Sequence, residues 1–189
     1  MVIAYHVTFG AYGFWLPNDP RGSWSTFVGA WRLFRFGEAT KVQVRRSLAH
    51  TVHDRLRRFA AKRALKHPPV KFSGLEARAV GRGFARACCE GGYGIHACAI
   101  LPDHVHLVVA RAQRPVEQIA GHLKAGATRQ LKEEGLWNRN RRPVWGGPGW
   151  RVYLNTPEDV RRAVEYVEQN LVREGLPPQR WSFVKSYEG

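Results

Sequence analysis

The stretch Ile100-Leu-Pro-Asp-His-Val-His-Leu-Val-Val109 decides how this 189-residue chain is read. Leu101-Pro102-Asp103 is a turn, and the apolar run His104 to Ala110 behind it predicts a strand. Successive side chains of a strand leave opposite faces, so His104 and His106 share one face while Val105, Leu107 and Val109 share the other. Those aliphatic residues already supply a packing face. The imidazoles are free for other work: at i, i+2 they can place two nitrogens on one cation, with a third ligand arriving from elsewhere. Taken alone, the H-x-H pattern suits two buried, hydrogen-bonded histidines equally well.

Working outward, Tyr93 to Ile100 reads as a strand before the turn, and Val2 to Phe9 as an earlier one bounded by the Gly10 to Gly13 turn. Leu75 to Cys89 has helical spacing at Leu75, Ala79, Phe84 and Ala87 and is closed by Gly91-Gly92. Val116, Ile119, Ala120, Leu123, Ala127 and Leu131 mark another helix. A loop bearing Arg and Trp, from Gly135 to Gly149, leads into a fourth strand, Trp150 to Leu154. Thr156, Pro157 and Asp159 then make a strong helix start, with Val160, Ala163, Val164, Val167 and Leu171 as its apolar stripe.

The order is βαββαβ followed by a helix, which predicts an α+β, ferredoxin-like sheet sandwich. In that arrangement the first and third strands are central and two helices cover one face. The C-terminal helix can lie over the other, the face of His104 and His106. One domain is expected over residues 1–189, elaborated by an insertion at 17–72. Within that insertion Leu56, Phe59, Ala60 and Ala64 suggest a helix near 53–66.

On the last helix, Tyr166 and Asn170 are four apart and therefore neighbours, on the flank of the buried stripe. A phenol there can reach the sheet and touch solvent; it can equally be a half-buried tyrosine with a wet hydroxyl. Arg162 and Arg173 share the flank and could hold a phosphate or be ordinary solvated charges. Glu168 points about 200 degrees away from Tyr166 and is set aside. His96 and His122 read as structural or solvated.

The chain carries 30 Lys+Arg against 15 Asp+Glu, a formal +15 with a pI near 10.6, and such a field attracts polyanions. Residues 17–72 concentrate it, with 13 Lys/Arg, 3 Asp/Glu and interleaved Trp24, Trp31, Phe34 and Phe36. Arg55, Arg57, Arg58, Lys62 and Arg63 are the densest cluster and are expected to contact phosphates. The start, Met-Val-Ile-Ala-Tyr-His-Val, is too short and polar for a signal peptide, and no membrane span is expected. Cys88, Cys89 and Cys98 suit neither a disulfide framework nor a zinc set, so a cytoplasmic protein with reduced thiols is expected.

Together these residues resemble the single-tyrosine HUH transposases, most of all the REP-associated branch. Leu101-Pro-Asp-His-Val-His-Leu-Val-Val109 is similar to that family's M-P-N-H-V-H-L strand, and Arg162 to Gly175 to its R-Y-I-E-x-N-P-V-R-A-G helix. Pro178-Gln-Arg-Trp-Ser182 resembles the segment that follows, and Tyr12-Gly-Phe-Trp-Leu-Pro17 the N-terminal turn. Asp103 stands where asparagine is usual, Leu171 where proline is common, and 17–72 exceeds the family norm.

The resemblance implies that His104, His106 and Asn170 bind Mg²⁺ or Mn²⁺. It also implies that Tyr166 cuts single-stranded or hairpin DNA through a 5′-phosphotyrosine, releasing a 3′-hydroxyl for later strand transfer. Relatives act as monomers or homodimers. The competing expectations are a domesticated, catalytically idle nucleic-acid-binding protein and an RNA-binding ferredoxin-like domain. The latter is disfavoured because the third strand presents histidines where stacking rings would be needed.

Overall fold

The computed structural model describes residues 1–17, 19, 31–37, 52–137 and 143–189. Trp24 and the arginines of the 138–142 loop, both drawn into the sequence reading, lie outside these residues. Four antiparallel strands form one sheet in the order β2-β3-β1-β4: β1 (Ala4–Gly10), β2 (Ile95–Ile100), β3 (His104–Ala110) and β4 (Trp150–Leu154). The helices are α1 (Arg55–Arg63), α2 (Gly74–Gly91), α3 (Val116–Glu133) and α4 (Pro157–Arg173), with a 3-10 helix at Trp31–Phe36. The expected α+β order holds, with the first and third strands central.

Alternation along β1 and β3 divides the molecule. Val7, Phe9, Val105, Leu107 and Val109 enter the main core with Ile95, Cys98 and Ile100 of β2 and the inner faces of α2 and α3. On the opposite face Ala4, Ala97, Ala99 and Val108 pack against Val160, Ala163, Val167 and Leu171 of α4. The stripe predicted for α4 is thus the one buried, except that Val164 sits at its margin.

The helix starts follow from their sequences. Ser73 with Glu76 and Thr156 with Asp159 form reciprocal capping boxes, and Pro157 occupies the first turn of α4. Helix α2 ends on Gly92 at φ 63°, a left-handed position that glycine enters without strain. Helices α2 and α3 approach at Gly83, where a Cβ would fall 2.5 Å from the Ala127 Cα, so only a bare backbone permits the contact. Ion pairs Arg82–Glu134 and Arg86–Glu133 close the outer seam between these helices.

The β2 edge is covered by the C-terminal segment. Gln179 accepts from Ile100 N (2.9 Å) and donates to Ile100 O (2.8 Å), Lys185 N donates to Ile95 O (2.8 Å), and Val184 forms a parallel bridge to Ile95. Trp181 lies on α2 where Gly81 leaves room.

Helix α1 departs from expectation. It is shorter than 53–66, and Leu56 and Phe59 are 85% and 63% exposed. Its buried residue is Ala61, which packs with Leu16 and Leu33. The helical spacing holds but the inward face differs, because the partner of α1 is the small 3-10 helix rather than the sheet. Likewise Leu75 is exposed on α2.

Candidate active site

Pairing of β1 with β3 sets Thr8 opposite His106 and Gly10 opposite His104. His104 and His106 therefore point to the α4 side, as predicted, and their rings lie 4.9 Å apart. Because Gly10 has no side chain, Phe14 folds back over it; a Cβ at Gly10 would fall 2.6 Å from the Phe14 side chain. Phe14 then stacks on His104 at 4.5 Å and 22°. The turn after β1 thus serves as a wall for the first histidine.

Each imidazole is held through Nδ1. His104 Nδ1 donates to the Asp103 carboxylate at 2.7 Å. An ionised carboxylate only accepts, so Nδ1 carries a proton and Nε2 is the nitrogen left to meet a ligand. His106 Nδ1 lies 2.9 Å from Thr8 Oγ1 and 3.1 Å from His6 Nε2. In the tautomer with the proton on that nitrogen, it donates to Thr8 Oγ1 or His6 Nε2 and Nε2 carries the second lone pair. Carboxylate or hydroxyl partners behind metal-binding imidazoles play this role, fixing tautomer and ring plane.

Burial, together with the neighbouring His104 and His6, holds His106 well below the usual histidine range, and burial lowers His6 to about 4. Both rings are therefore neutral at physiological pH, the form a metal requires.

Tyr166 reaches this cluster from α4. Its ring lies 5.7 Å from that of His106 and 5.5 Å from that of His6, edge-on to each. The phenol is half-buried, and its hydroxyl has no hydrogen-bond partner among the described residues. The Arg173 guanidinium lies 5.7 Å from the centre of the Tyr166 ring while donating to Gln169.

Asn170 is one turn beyond, its Nδ2 donating to the Tyr166 carbonyl at 2.7 Å. That leaves its amide oxygen available, although no hydrogen bond joins Asn170 to either motif histidine among the described residues. Arg162 is 70% exposed and bonded to Asp159 at 2.8 Å. Arg55, Arg57, Arg58, Lys62 and Arg63 belong to α1, a separate element packed against the 3-10 helix. Arg58 is committed to Asp19 and His53.

Sequence reading missed His6 and Thr8. Both lie on the expected first strand, two residues apart, and alternation alone places them on one face; the signal was there but needed the cross-strand register. His122 bridges Tyr93 and Glu90, and His96 contacts the tail at Lys185, in keeping with structural roles.

Among the described residues no three of His, Cys, Asp and Glu form a ready metal cluster. The donor chemistry fits a divalent ion all the same: two imidazoles held through Nδ1 leave their Nε2 atoms without a hydrogen-bond partner among the described residues, with an amide oxygen available on the helix above. Nor is any helix among the described residues long and apolar enough to cross a membrane.

No family model and no curated protein matches the sequence. Similar solved structures include a REP-associated tyrosine transposase bound to a REP hairpin. It is 12% identical with TM-score 0.47, covering 99% of this chain and 93% of that one. Another is a candidate transposase of Deinococcus radiodurans R1, 13% identical with TM-score 0.41, covering 90% and 91%.

Proposed function

We propose that this protein is a tyrosine transposase that cuts and rejoins single-stranded or hairpin DNA. The observation that carries the reading is the shared face of β3 and α4. There, two imidazoles pinned through Nδ1 leave Nε2 open beside a phenol whose hydroxyl has no partner among the described residues. His104, His106 and the Asn170 amide oxygen would hold Mg²⁺ or Mn²⁺. The ion would draw charge from a non-bridging phosphate oxygen.

The Tyr166 oxygen attacks the scissile phosphorus and loses its proton to solvent. The bond to the 3′ oxygen breaks, and that oxygen leaves as a 3′-hydroxyl after taking up a proton. The 5′-phosphotyrosine keeps the phosphoester energy, so a 3′-hydroxyl can reverse the step and rejoin strands. Arg173, beside the ring, would meet phosphate charge on leaving Gln169, as Arg162 would on leaving Asp159. The net charge of +15 favours a polyanionic partner.

The test is covalent trapping. Labelled hairpin-bearing single strands incubated with Mn²⁺ should yield an adduct that survives denaturing electrophoresis. Tyr166→Phe should abolish it while retaining DNA binding. An adduct that persists in Tyr166→Phe would sink this assignment of the nucleophile.

A further inference from the structure

The 3-10 helix carries an aromatic pair that the chemistry above does not use. Leu33 turns inward onto Leu16 and Ala61, anchoring the 3-10 helix to α1. With three residues per turn, side chains at i and i+3 eclipse, so Trp31 and Phe34 emerge together on the outer side. Trp31 is 88% exposed and Phe34 52%, with rings stacked at 5.9 Å and 21°. They line a recess with Arg32, Arg35 and Ala64. Flat rings left bare as a pair, rather than scattered singly, mark a binding surface.

Charge selects the occupant. Neither the 3-10 helix nor α1 contains an acidic residue, and among the described residues the carboxylates next to them in the sequence or in contact with them are engaged: Asp54 caps α1, and Asp19 is buried against Arg58. A second copy of a chain with net charge +15 would meet like charge here. An acidic protein would answer the arginines but gives no reason for stacked, upright rings. Unpaired nucleic-acid bases on a phosphate backbone answer both.

We propose that Trp31 and Phe34 form a stacking platform for unpaired bases of single-stranded DNA, with Arg32 and Arg35 taking the adjacent phosphates. The choice of DNA rests on the function proposed above; the platform shares no residue with the histidine and Tyr166 cluster.

Binding of the full chain to fluorescent oligo(dT), and to an abasic strand of equal length, tests this by anisotropy in EDTA, where no cleavage is needed. Trp31→Ala should weaken oligo(dT) binding by about 5-fold or more, as loss of one stacked base implies. It should leave abasic binding and the salt slope unchanged, and Trp31→Tyr should restore most of the affinity. Replacing Arg32 and Arg35 together by Gln should instead flatten the slope of log affinity against log salt, by roughly 0.7 for each phosphate no longer neutralised.

Unchanged oligo(dT) affinity in Trp31→Ala would overturn the platform, as would equal losses on oligo(dT) and the abasic strand. Self-association of the wild type that Trp31→Ala abolishes in sedimentation would reassign the patch to a second copy. Because no adduct enters these measurements, failure of the covalent test and failure of this one are told apart.

Discussion

Asp103 sets what His104 can offer. A carboxylate behind Nδ1 fixes the tautomer and makes Nε2 a better donor, and Thr8 does the corresponding job for His106. Asp103→Ala and Thr8→Val should each weaken Mn²⁺ binding about 10–100-fold in titration calorimetry while leaving the far-ultraviolet circular dichroism unchanged. Asp103→Asn keeps an acceptor and should fall between. Wild-type affinity in Asp103→Ala would mean that the partner does not orient the ligand. At this scale the sequence was legible wherever a property is local: strand alternation placed His104 and His106, and helical spacing placed Tyr166 with Asn170. His6 was not found, since its approach to His106 depends on a register between residues far apart in the chain.

Elements were legible in proportion to their own start and stop signals. Helices α2 and α4 carry complete capping boxes, and both were anticipated to within a few residues. The 3-10 helix has no such marks, and its Leu33–Ala61 contact reversed the inward face expected for α1. The α2–α3 pair rests on a feature that periodicity does not weigh, the close backbone approach at Gly83 and Ala127. Gly83→Ala drives a methyl into backbone that cannot yield, and such overpacking costs about 1–3 kcal/mol. Urea unfolding should show that loss. Mn²⁺ affinity of the folded variant should match the wild type, because α2 and α3 lie behind the sheet, away from the histidines. A change in metal affinity instead would indicate that the two faces are coupled through β1 and β3.

Across the whole molecule, one sheet separates two tasks. Its α2–α3 side is the larger apolar core, aliphatic and aromatic together; its α4 side holds a few polar groups beside a smaller aliphatic cluster. Sidedness was readable from the sequence, because β3 carries histidines on one alternation and aliphatics on the other. What the sequence did not disclose is how the sheet ends. A strand bordered on one side only presents unpaired amides and carbonyls, a template on which further chains can add.

Here the Gln179 amide stands in for a neighbouring strand at Ile100, and the backbone of Val184 and Lys185 does so at Ile95. The tail is therefore a guard against polymerisation. Gln179→Ala combined with Lys185→Pro should bare both ends of that border and cause concentration-dependent association in sedimentation velocity, with the motif histidines and Tyr166 untouched. Continued monodispersity of the double variant would show that the border needs no guard. With β2 shielded, any intermolecular extension of this sheet is left to β4, a border of only five residues.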